Sequence, residues 1–252
     1  MSVLDNLSRI IARIHAAAER VQRDASTVEI VAVTKNAEVE QIQTLLTSGK
    51  ISALGESKVQ DAEKRREKLE ILPGYKSGAV WRMIGHLQTN KAQKALEFFD
   101  SVDALESLEL ARALDRRLDQ MGRTLPVLVQ VKLTDREAQS GVAPEHLEEF
   151  LSGLKVFRRL QVRGLMAIAP MLEPAEKIRP YFRRVRELAD RFMPEWMDGG
   201  TQKIVSMGMS RDFEVAVEEG ATMVRLGTAL FARNEDSQRR GQQHDRQGTS
   251  HP

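Results

Sequence analysis

The amino-terminal segment has the hydrophobic spacing of one face of a helix. Within residues 3–22, apolar side chains recur at intervals of three and four positions: Leu4, Leu7, Ile10, Ile11, Ile14 and Ala18. Charged and polar residues occupy most positions between them, which is typical of an amphipathic helix. We therefore predict a helix that precedes the first strand.

Beyond this helix, short apolar runs rich in β-branched residues alternate with longer segments of helical spacing. The runs that we predict to be strands are 28–34, 51–54, 79–84, 99–103, 125–133, 160–168, 203–206 and 222–226. The segments of helical spacing are 38–48, 57–70, 90–97, 105–121, 144–154, 174–193 and 211–219. Because parallel neighbours need a crossover connection, this alternation predicts a parallel sheet covered by helices.

The number of strand-helix units favours a closed barrel over an open sheet. Eight units in 252 residues match a (β/α)₈ barrel, which typically has about 250 residues. A doubly wound open sheet uses the same elements, but its first turn would usually carry a glycine-rich nucleotide site. The sequence contains no G-x-G-x-x-G, no Walker loop and no H-E-x-x-H. We predict an α/β fold, a single TIM-like (β/α)₈ barrel with an extra N-terminal helix.

The barrel domain is predicted to span residues 1–232, and residues 233–252 are predicted to form a disordered polar tail. From Arg233 the chain reads RNEDSQRRGQQHDRQGTSHP, with no apolar residue larger than proline. Such a segment buries too little apolar surface to offset the entropy of ordering it. His244 and His251 lie in this tail without preorganised partners, so we predict no metal site there.

Composition and charge exclude several classes of protein. The hydrophobic fraction of 41% is enough to enclose the core of one large domain. The 38 basic and 36 acidic residues leave a formal net charge of +2, which argues against a dedicated nucleic-acid surface. Without cysteine, disulfides, thiolate metal sites and a cysteine nucleophile are excluded. Because no segment resembles a membrane span or a signal peptide, we expect a soluble cytoplasmic protein.

Polar groups follow several predicted strands at the end where parallel barrels place their active sites. The candidates, in chain order, are Lys35, Gly55-Glu56-Ser57, Ile84-Gly85-His86 with Gln88 and Asn90, Ser206-Met207-Gly208-Met209-Ser210, and Arg225-Leu226-Gly227-Thr228. Since these strand ends converge above the barrel interior, the groups are predicted to surround one site.

The loops after the seventh and eighth strands have the composition of a phosphate site. In this fold these two loops frequently bind phosphate through exposed backbone amides. Gly208 lets the backbone approach an anion closely, and the Ser210 hydroxyl is placed as a helix cap that can turn to it. Gly227 and Thr228 offer a second amide and a second hydroxyl. The alternative is that both loops are ordinary turns, in which glycine and serine are common.

Lys35 and Arg225 add an amine and a cation beside this site, because the first strand of a closed barrel neighbours the eighth. A lysine near an arginine and partly removed from water has a lowered pKa, which supplies the neutral amine for a Schiff base. Pyridoxal 5′-phosphate (PLP) carries both an aldehyde and a phosphate. Position alone leaves Lys35 open as a structural lysine that reaches solvent. It also leaves Arg225 open as a phosphate ligand, a partner of the pyridine nitrogen or half of a structural ion pair.

Four segments of the chain resemble the pyridoxal phosphate homeostasis protein family, short relatives of the alanine racemase N-terminal barrel. They are AVTK, IGHLQTNK, RGLMAI and SMGMSRDFEVAVEEGATMVRLGTALF. The last is long and specific, and the resemblance runs from about residue 4 to residue 232. It implies a fold-type III PLP-binding barrel that stores, shields or delivers the cofactor.

The resemblance also implies roles for individual residues. Lys35 would form the Schiff base, and Ser210, Gly227 and Thr228 would hold the phosphate. Arg225 would face the pyridine nitrogen and keep it unprotonated, which makes the ring a poor electron sink. The remaining residues predicted to bind the cofactor are Gly208, Met209, His86 and Asn90.

Three departures from the family pattern touch this predicted site. The family usually has a proline a few positions after the lysine, and KNAEVEQ has none. It usually reads G-E-N-Y where this chain has Gly55-Glu56-Ser57-Lys58, and W-H-F-I-G where this chain has Trp81-Arg82-Met83-Ile84-Gly85. We expect these changes to affect the rim of the pocket more than its anchors.

The length of the chain favours a carrier over an enzyme. A racemase of this kind needs acid-base groups on both faces of the substrate carbon, and the related racemases gain one from an added β-domain and a partner subunit. Tyr75 and Tyr181 lie outside the predicted strand ends, and His86, although a candidate acid or base, is more simply a structural or rim histidine. We therefore expect a monomeric PLP carrier or reservoir in vitamin B6 homeostasis, with little or no turnover and PLP-dependent apo-enzymes as recipients. The alternatives are a low-activity racemase or lyase, and a barrel for another phosphate ligand.

Overall fold

In the computed structural model, which describes residues 2–75, 78–134, 139–197 and 202–232, parallel strands close into a barrel. The strands are β1 (Glu29–Val33), β2 (Ala53–Glu56), β3 (Val80–Met83), β4 (Ser101–Leu105), β5 (Leu125–Val131), β6 (Leu160–Ala167), β7 (Ile204–Ser206) and β8 (Met223–Leu226). They pair in chain order, and β8 returns to β1 with Ala32 opposite Leu226. The predicted barrel and its eight strands are confirmed.

The helices lie outside this barrel. They are α1 (Val3–Arg20), α2 (Val39–Thr47), α3 (Val59–Glu70), α4 (Ala92–Phe98), α5 (Leu108–Met121), α6 (Leu147–Leu154), α7 (Arg179–Phe192), α8 (Phe213–Glu218) and α9 (Thr228–Phe231). Short 3₁₀ turns occur at Ala25–Thr27, Thr89–Lys91, Pro144–His146, Ala175–Ile178 and Pro194–Trp196. Each predicted helix is present, but α9 was missed because four residues are too few to show a period.

The N-terminal helix α1 begins with a reciprocal cap and packs against the last two helices. The Ser2 hydroxyl accepts a hydrogen bond from the Asp5 amide at 3.1 Å, and the Asp5 carboxylate accepts one from the Ser2 amide at 2.8 Å. The buried Asn6 side chain donates to the carbonyls of Leu230 and Ala232, at 2.9 and 3.1 Å. Because α9 follows the end of β8, this bond ties the extra helix to a candidate site loop.

Two apolar layers stabilise the barrel. A large cluster fills the space between the strands and the helices, and smaller clusters fill the barrel interior. One interior cluster consists of Val31, Ala53 and Met223, which shows that odd-numbered positions of β1 face inward. The even-numbered Ala32 belongs to the outer cluster.

Two further predictions concern membrane-spanning helices and the C-terminal tail. No helix in the four described ranges is long and apolar enough to cross a membrane. The predicted disordered tail, with His244 and His251, lies outside the described residues.

Candidate functional site

The loop from β7 to α8 is built around a glycine and an aspartate. Gly208 has φ +90°, and a Cβ there would lie 2.5 Å from the Cβ of Ala216. The Asp212 carboxylate accepts a hydrogen bond from the Met209 amide at 2.6 Å, which closes the loop on itself. Burial raises the pKa of the Asp212 carboxyl. Sequence reasoning missed Asp212, although an aspartate just before a helix is a common cap.

The β7–α8 and β8–α9 loops join into one structure, which we call the anion cradle (residues 208–211 and 227–229). The Ser210 hydroxyl accepts a hydrogen bond from the Ala229 amide at 3.0 Å, so it links the two loops. Within the described chain, no hydrogen bond uses the backbone amides of Ser210, Arg211, Gly227 or Thr228. Four amides without a partner, on two loops joined at Ser210, make the cradle suited to an anion with several oxygens.

Met209 was also predicted to bind the cofactor, but its backbone amide is not free. It donates to Asp212 and is therefore already used. Met209 contributes to the loop through its carbonyl, which accepts the amides of Asp212 and Phe213 at 3.1 and 2.9 Å. Its role in the structure is to shape the turn that presents Ser210.

Arg225 lies inside the barrel directly below the cradle. Its side chain is 4% exposed, and its amide donates to the Gly208 carbonyl at 3.0 Å. Nη1 donates to the Ser206 hydroxyl at 2.7 Å and Nη2 to the Ala167 carbonyl at 2.8 Å. Burial lowers the pKa of Arg225 to about 10, which still leaves a cation at neutral pH.

The alternative of Arg225 as half of a structural ion pair does not hold among the described residues, since no carboxylate lies in salt-bridge contact with it. Its Nε also makes no hydrogen bond to the described chain. Three of the five N–H groups of this buried guanidinium, the Nε–H among them, are thus without a partner in the described chain.

Lys35 lies on the turn after β1, next to the cradle. The ladder continues to Thr34, whose amide donates to the Gly55 carbonyl at 3.2 Å. Lys35 follows Thr34 at the carboxyl end of β1, the strand that pairs with β8. Gly227 packs against the same strand, because a Cβ on it would meet the Val33 carbonyl at 3.2 Å.

The expectation that Lys35 is partly removed from water is wrong, because its side chain is exposed. The reason is that β1 ends at Val33, so Lys35 sits in a turn rather than within the strand. Its amine has no hydrogen-bond or ion-pair partner among the described residues. It is free to react at the barrel mouth.

His86 and Asn90 lie at the rim and do not contact the cradle. The His86 side chain is 58% exposed, and its Nδ1 lies 2.5 Å from Oε1 of Glu106. Asn90 is exposed within the 3₁₀ turn Thr89–Lys91, and no hydrogen bond to it is found in the described chain. Their predicted role in cofactor binding stays a prediction.

Arg82 is not a rim residue, so the expectation for this departure was wrong. It is 7% exposed inside the barrel and forms a bidentate ion pair with Asp103, at 2.7 and 3.0 Å. Asp103 also accepts the Ser101 hydroxyl at 2.5 Å. The side chain points inward because β3 alternates in register with its neighbours, which sequence reasoning did not apply at this position. Ser57, in contrast, is exposed at the rim as expected.

A cavity of about 370 Å³ lies away from the cradle, near the starts of β7 and β8. Its cations Arg186 and Lys203 both contact Asp190, at 3.2 and 2.7 Å. Because one carboxylate partly neutralises both cations, this cavity is less suited to an anion than the cradle.

The residues at the cradle end of the barrel fit PLP. Free amides and hydroxyls suit its phosphate, the free Arg225 Nε–H suits a ring nitrogen, and the unpartnered Lys35 amine suits an aldehyde. Elsewhere in the described residues, no group of three or more histidine, aspartate or glutamate side chains could hold a metal ion.

Known proteins resemble the chain over most of its length. The profile of the family described as "Alanine racemase, N-terminal domain" matches residues 6–235. The pyridoxal phosphate homeostasis protein of Aquifex aeolicus is 36% identical over 231 residues, which are 92% of this chain and 98% of that protein.

Two solved structures share the barrel. PipY of Synechococcus elongatus, in a structure with PLP bound, has a TM-score of 0.72 at 35% identity, covering 88% of this chain and 100% of PipY. An alanine racemase of Clostridium difficile has a TM-score of 0.64 at 16% identity, covering 91% of this chain and 56% of the racemase. At that identity, the racemase establishes a likeness of fold alone.

Proposed function

Since this chain belongs to the pyridoxal phosphate homeostasis protein family, we propose that it binds PLP at the cradle end of its barrel. We further propose that it acts in vitamin B6 homeostasis as a carrier or reservoir with little or no catalytic turnover. The observation that carries the proposal is the group of four free backbone amides beside an unpartnered lysine.

The cradle is the proposed phosphate site. The amides of Ser210, Arg211, Gly227 and Thr228 would donate to phosphate oxygens, with the hydroxyls of Ser210 and Thr228 as further donors. Gly208 supports this role because a larger residue would displace the loop. Because these amides and hydroxyls would hold the dianion without using a lysine amine, Lys35 stays free for the aldehyde.

Arg225 is the proposed partner of the ring nitrogen. Two of its nitrogens are held by Ser206 and Ala167, so its orientation is determined before a ligand arrives. A guanidinium that donates to the ring nitrogen keeps that nitrogen unprotonated, because its own charge opposes a second positive charge. This weakens the ring as an electron sink and favours holding the cofactor over transforming amino acids with it.

Lys35 is the proposed covalent anchor. Bound PLP supplies an aldehyde, with which the Lys35 amine forms a Schiff base. An exposed anchor at the barrel mouth is accessible to another amine that takes the aldehyde away. That accessibility is expected of a carrier that delivers PLP to apo-enzymes.

Low-activity racemase or lyase chemistry is the second candidate, and the contact between His86 and Glu106 favours it. A carboxylate beside a histidine at the mouth resembles an acid-base pair. Against it, Tyr75 follows α3 and lies at the opposite barrel end, and Tyr181 lies in α7. Our proposal further places the protein in the cytoplasm, which fits its lack of cysteine, and takes it to be a monomer.

The proposal is tested by replacing Lys35 with alanine, with K58A as control because Lys58 is also exposed at the end of a neighbouring strand. Purified protein mixed with PLP should show the visible absorbance of a Schiff base. K35A should lose this band, whereas K58A should keep it. Borohydride reduction and tryptic digestion should map the pyridoxyl group to the Lys35 peptide. If K35A keeps the band, the anchor assignment is wrong.

A further inference from the structure

The position of the Lys35 amine depends on the turn that carries it. Residues 34–37 form a turn closed by the Ala37 amide, which donates to the Thr34 carbonyl at 2.9 Å. The Lys35 side chain is exposed and has no partner in the described chain. The position of the Lys35 side chain is therefore set by the backbone of this turn and by no side-chain contact in the described chain.

A buried ion pair lies directly behind this turn. The Glu56 carboxylate, at the end of β2, accepts a hydrogen bond from Nε of Arg65 in α3 at 2.6 Å. The side chains are 1% and 14% exposed. Burying two charges costs free energy unless further hydrogen bonds satisfy them, so the remaining contacts of this pair matter.

Most of those further hydrogen bonds go to the turn. Arg65 donates Nη1 to the Ala37 carbonyl at 2.9 Å and Nη2 to the Lys35 carbonyl at 3.3 Å. The Thr34 hydroxyl donates to the same Glu56 oxygen at 2.5 Å. Glu56 Oε2 is buried without a partner in the described chain, so both bonds converge on Oε1. Three of the four turn residues are thus held by one ion pair.

We propose that Glu56 and Arg65 are positioning residues that hold the Lys35 amine in place for Schiff-base formation. The inference rests on the proposed function, because it concerns the same lysine. A reacting group must be held to about 0.5 Å by its supporting contacts. The planar guanidinium fork binds two carbonyls and a carboxylate at once, which a lysine ammonium on a flexible stem does not reproduce.

The pair acts on Lys35 and not on the cradle. Among the described residues, the side-chain hydrogen bonds of Glu56 and Arg65 are to each other and to the 34–37 turn. The cradle is formed by loops that follow β7 and β8. Loss of the pair should therefore weaken covalent attachment while phosphate recognition remains.

R65K is the decisive variant, and R66K is its matched control. Arg66 is the next residue of α3, and its ion pair with Glu70 is exposed at the surface. T34V is a second, milder variant, which removes the hydroxyl donor to Glu56 at nearly constant volume. Thermal unfolding verifies that each variant is folded. If R65K does not fold, T34V alone tests the inference.

Two ligands separate attachment from recognition. Pyridoxine 5′-phosphate has the phosphate and ring but no aldehyde, so its affinity reports the cradle and Arg225. The rate of appearance of the visible band with PLP, with borohydride trapping, reports Lys35. Misplacement of a reacting group by about 1 Å can cost on the order of 100-fold in rate. We therefore expect R65K to slow attachment of PLP at least about tenfold. The affinity of R65K for pyridoxine 5′-phosphate should change less than about twofold, because the cradle is intact.

T34V should slow attachment in the same sense, and R66K should match the wild type in both measurements. Equal rates for R65K and R66K would overturn the inference. A parallel loss of affinity and rate in R65K would also overturn it, because that pattern indicates general damage to the barrel. Failure of the wild type itself to label Lys35 would instead contradict the proposed function.

Discussion

Gly208 shows how single residues determine the geometry of the cradle. Its φ of +90° lies in a region that side chains rarely adopt, and Ala216 occupies the space of a Cβ. Both constraints act on the residue that leads into Met209 and Ser210. The orientation of Met209 and Ser210 thus depends on the absence of a Cβ at position 208.

We expect G208A to lose both stability and phosphate recognition. The matched control is G122A, because Gly122 has φ +63° but no atom within 4 Å of its Cβ position. G122A should lower the free energy of unfolding by about 1–2 kcal/mol, the cost of the left-handed backbone alone. G208A should cost about 1–3 kcal/mol more, since overpacking adds to that cost.

Urea unfolding of both variants measures this difference, and binding of pyridoxine 5′-phosphate measures the effect on the cradle. G122A should bind like the wild type, because Gly122 ends α5 and is not part of the cradle. Equal losses of stability in the two variants would show that the contact with Ala216 is unimportant.

Arg82 and Asp103 form a second arrangement determined at the scale of single residues. They are a bidentate ion pair inside the barrel, where an unpaired charge would be strongly destabilising. Asp103 also acts on Arg225 through space and favours its charged form. The aspartate thus partly balances two buried guanidinium groups, one of which we assign to the ring nitrogen.

At the scale of elements, α8 is held to α7 by a cluster of charged side chains. Arg179 contacts Glu176, Glu218 and Glu219, and Arg183 also contacts Glu219. Hydrogen bonds to Glu176 and Glu218 raise the pKa of Arg179. Because α8 follows the cradle loop, this cluster supports one side of the site.

The charge state of Glu219 should make this support depend on pH. Burial raises the pKa of Glu219, but hydrogen bonds from Arg183 and Arg179 outweigh burial, so the pKa is lowered from its ordinary value of 4.5. Below 4.5 the unfolded chain therefore binds more protons at this position than the folded chain. The stabilisation is present above 4.5 and is lost as pH falls through the lower, folded-state pKa.

We expect E219Q to lower the free energy of unfolding at neutral pH by about 1–3 kcal/mol, because hydrogen bonds to charged groups are lost. Its stability should also fall less steeply in acid than that of the wild type. Urea unfolding at a series of pH values from neutral to acid measures both effects. E187Q is the control, since Glu187 is half exposed and lies 4.0 Å from Arg184. An acid slope of E219Q identical to that of the wild type would contradict the assignment.

At the scale of the whole molecule, the barrel brings the cradle, Arg225 and Lys35 to one end. Within the described residues, His86 with Glu106 is the one histidine–carboxylate contact in hydrogen-bond reach. A carrier needs the first set of groups, whereas a racemase also needs acid-base groups on both faces of the substrate carbon. Storage and delivery rather than turnover is accordingly our proposal, and the following experiment tests it.

Deuterium exchange separates a carrier from an enzyme. PLP-loaded protein is incubated with single L-amino acids in deuterated water, and α-hydrogen exchange is followed by NMR. We expect exchange no faster than with PLP and K35A, because Arg225 in its proposed place at the ring nitrogen would disfavour the electron-withdrawing form of the ring. Exchange at the about 1 s⁻¹ or more typical of enzymes would contradict the carrier function.

The features that could be predicted from the sequence are those that depend on residues close together in the chain. Hydrophobic spacing alone located all eight strands, since burial on a strand or helix face follows its own period. The positions of Gly208, Ser210, Gly227 and Thr228 after β7 and β8 could be predicted because backbone conformation and capping depend on neighbours in the chain, whereas their role in binding stays a prediction. The order of the strands then followed from the rule that sequential parallel strands are adjacent.

Tertiary structure alone decided which distant side chains meet. Arg65 binds the Lys35 carbonyl because α3 packs beside β2, and Arg82 pairs with Asp103 because β3 and β4 are neighbours in the barrel. Neither contact has a local pattern, since its partners lie about one strand-helix unit apart. The exposure of Lys35 likewise depends on where β1 stops, which hydrogen bonds to β2 and β8 determine. The sequence by itself therefore determined the barrel and the chemical groups at its mouth, and packing determined how each group is held and charged.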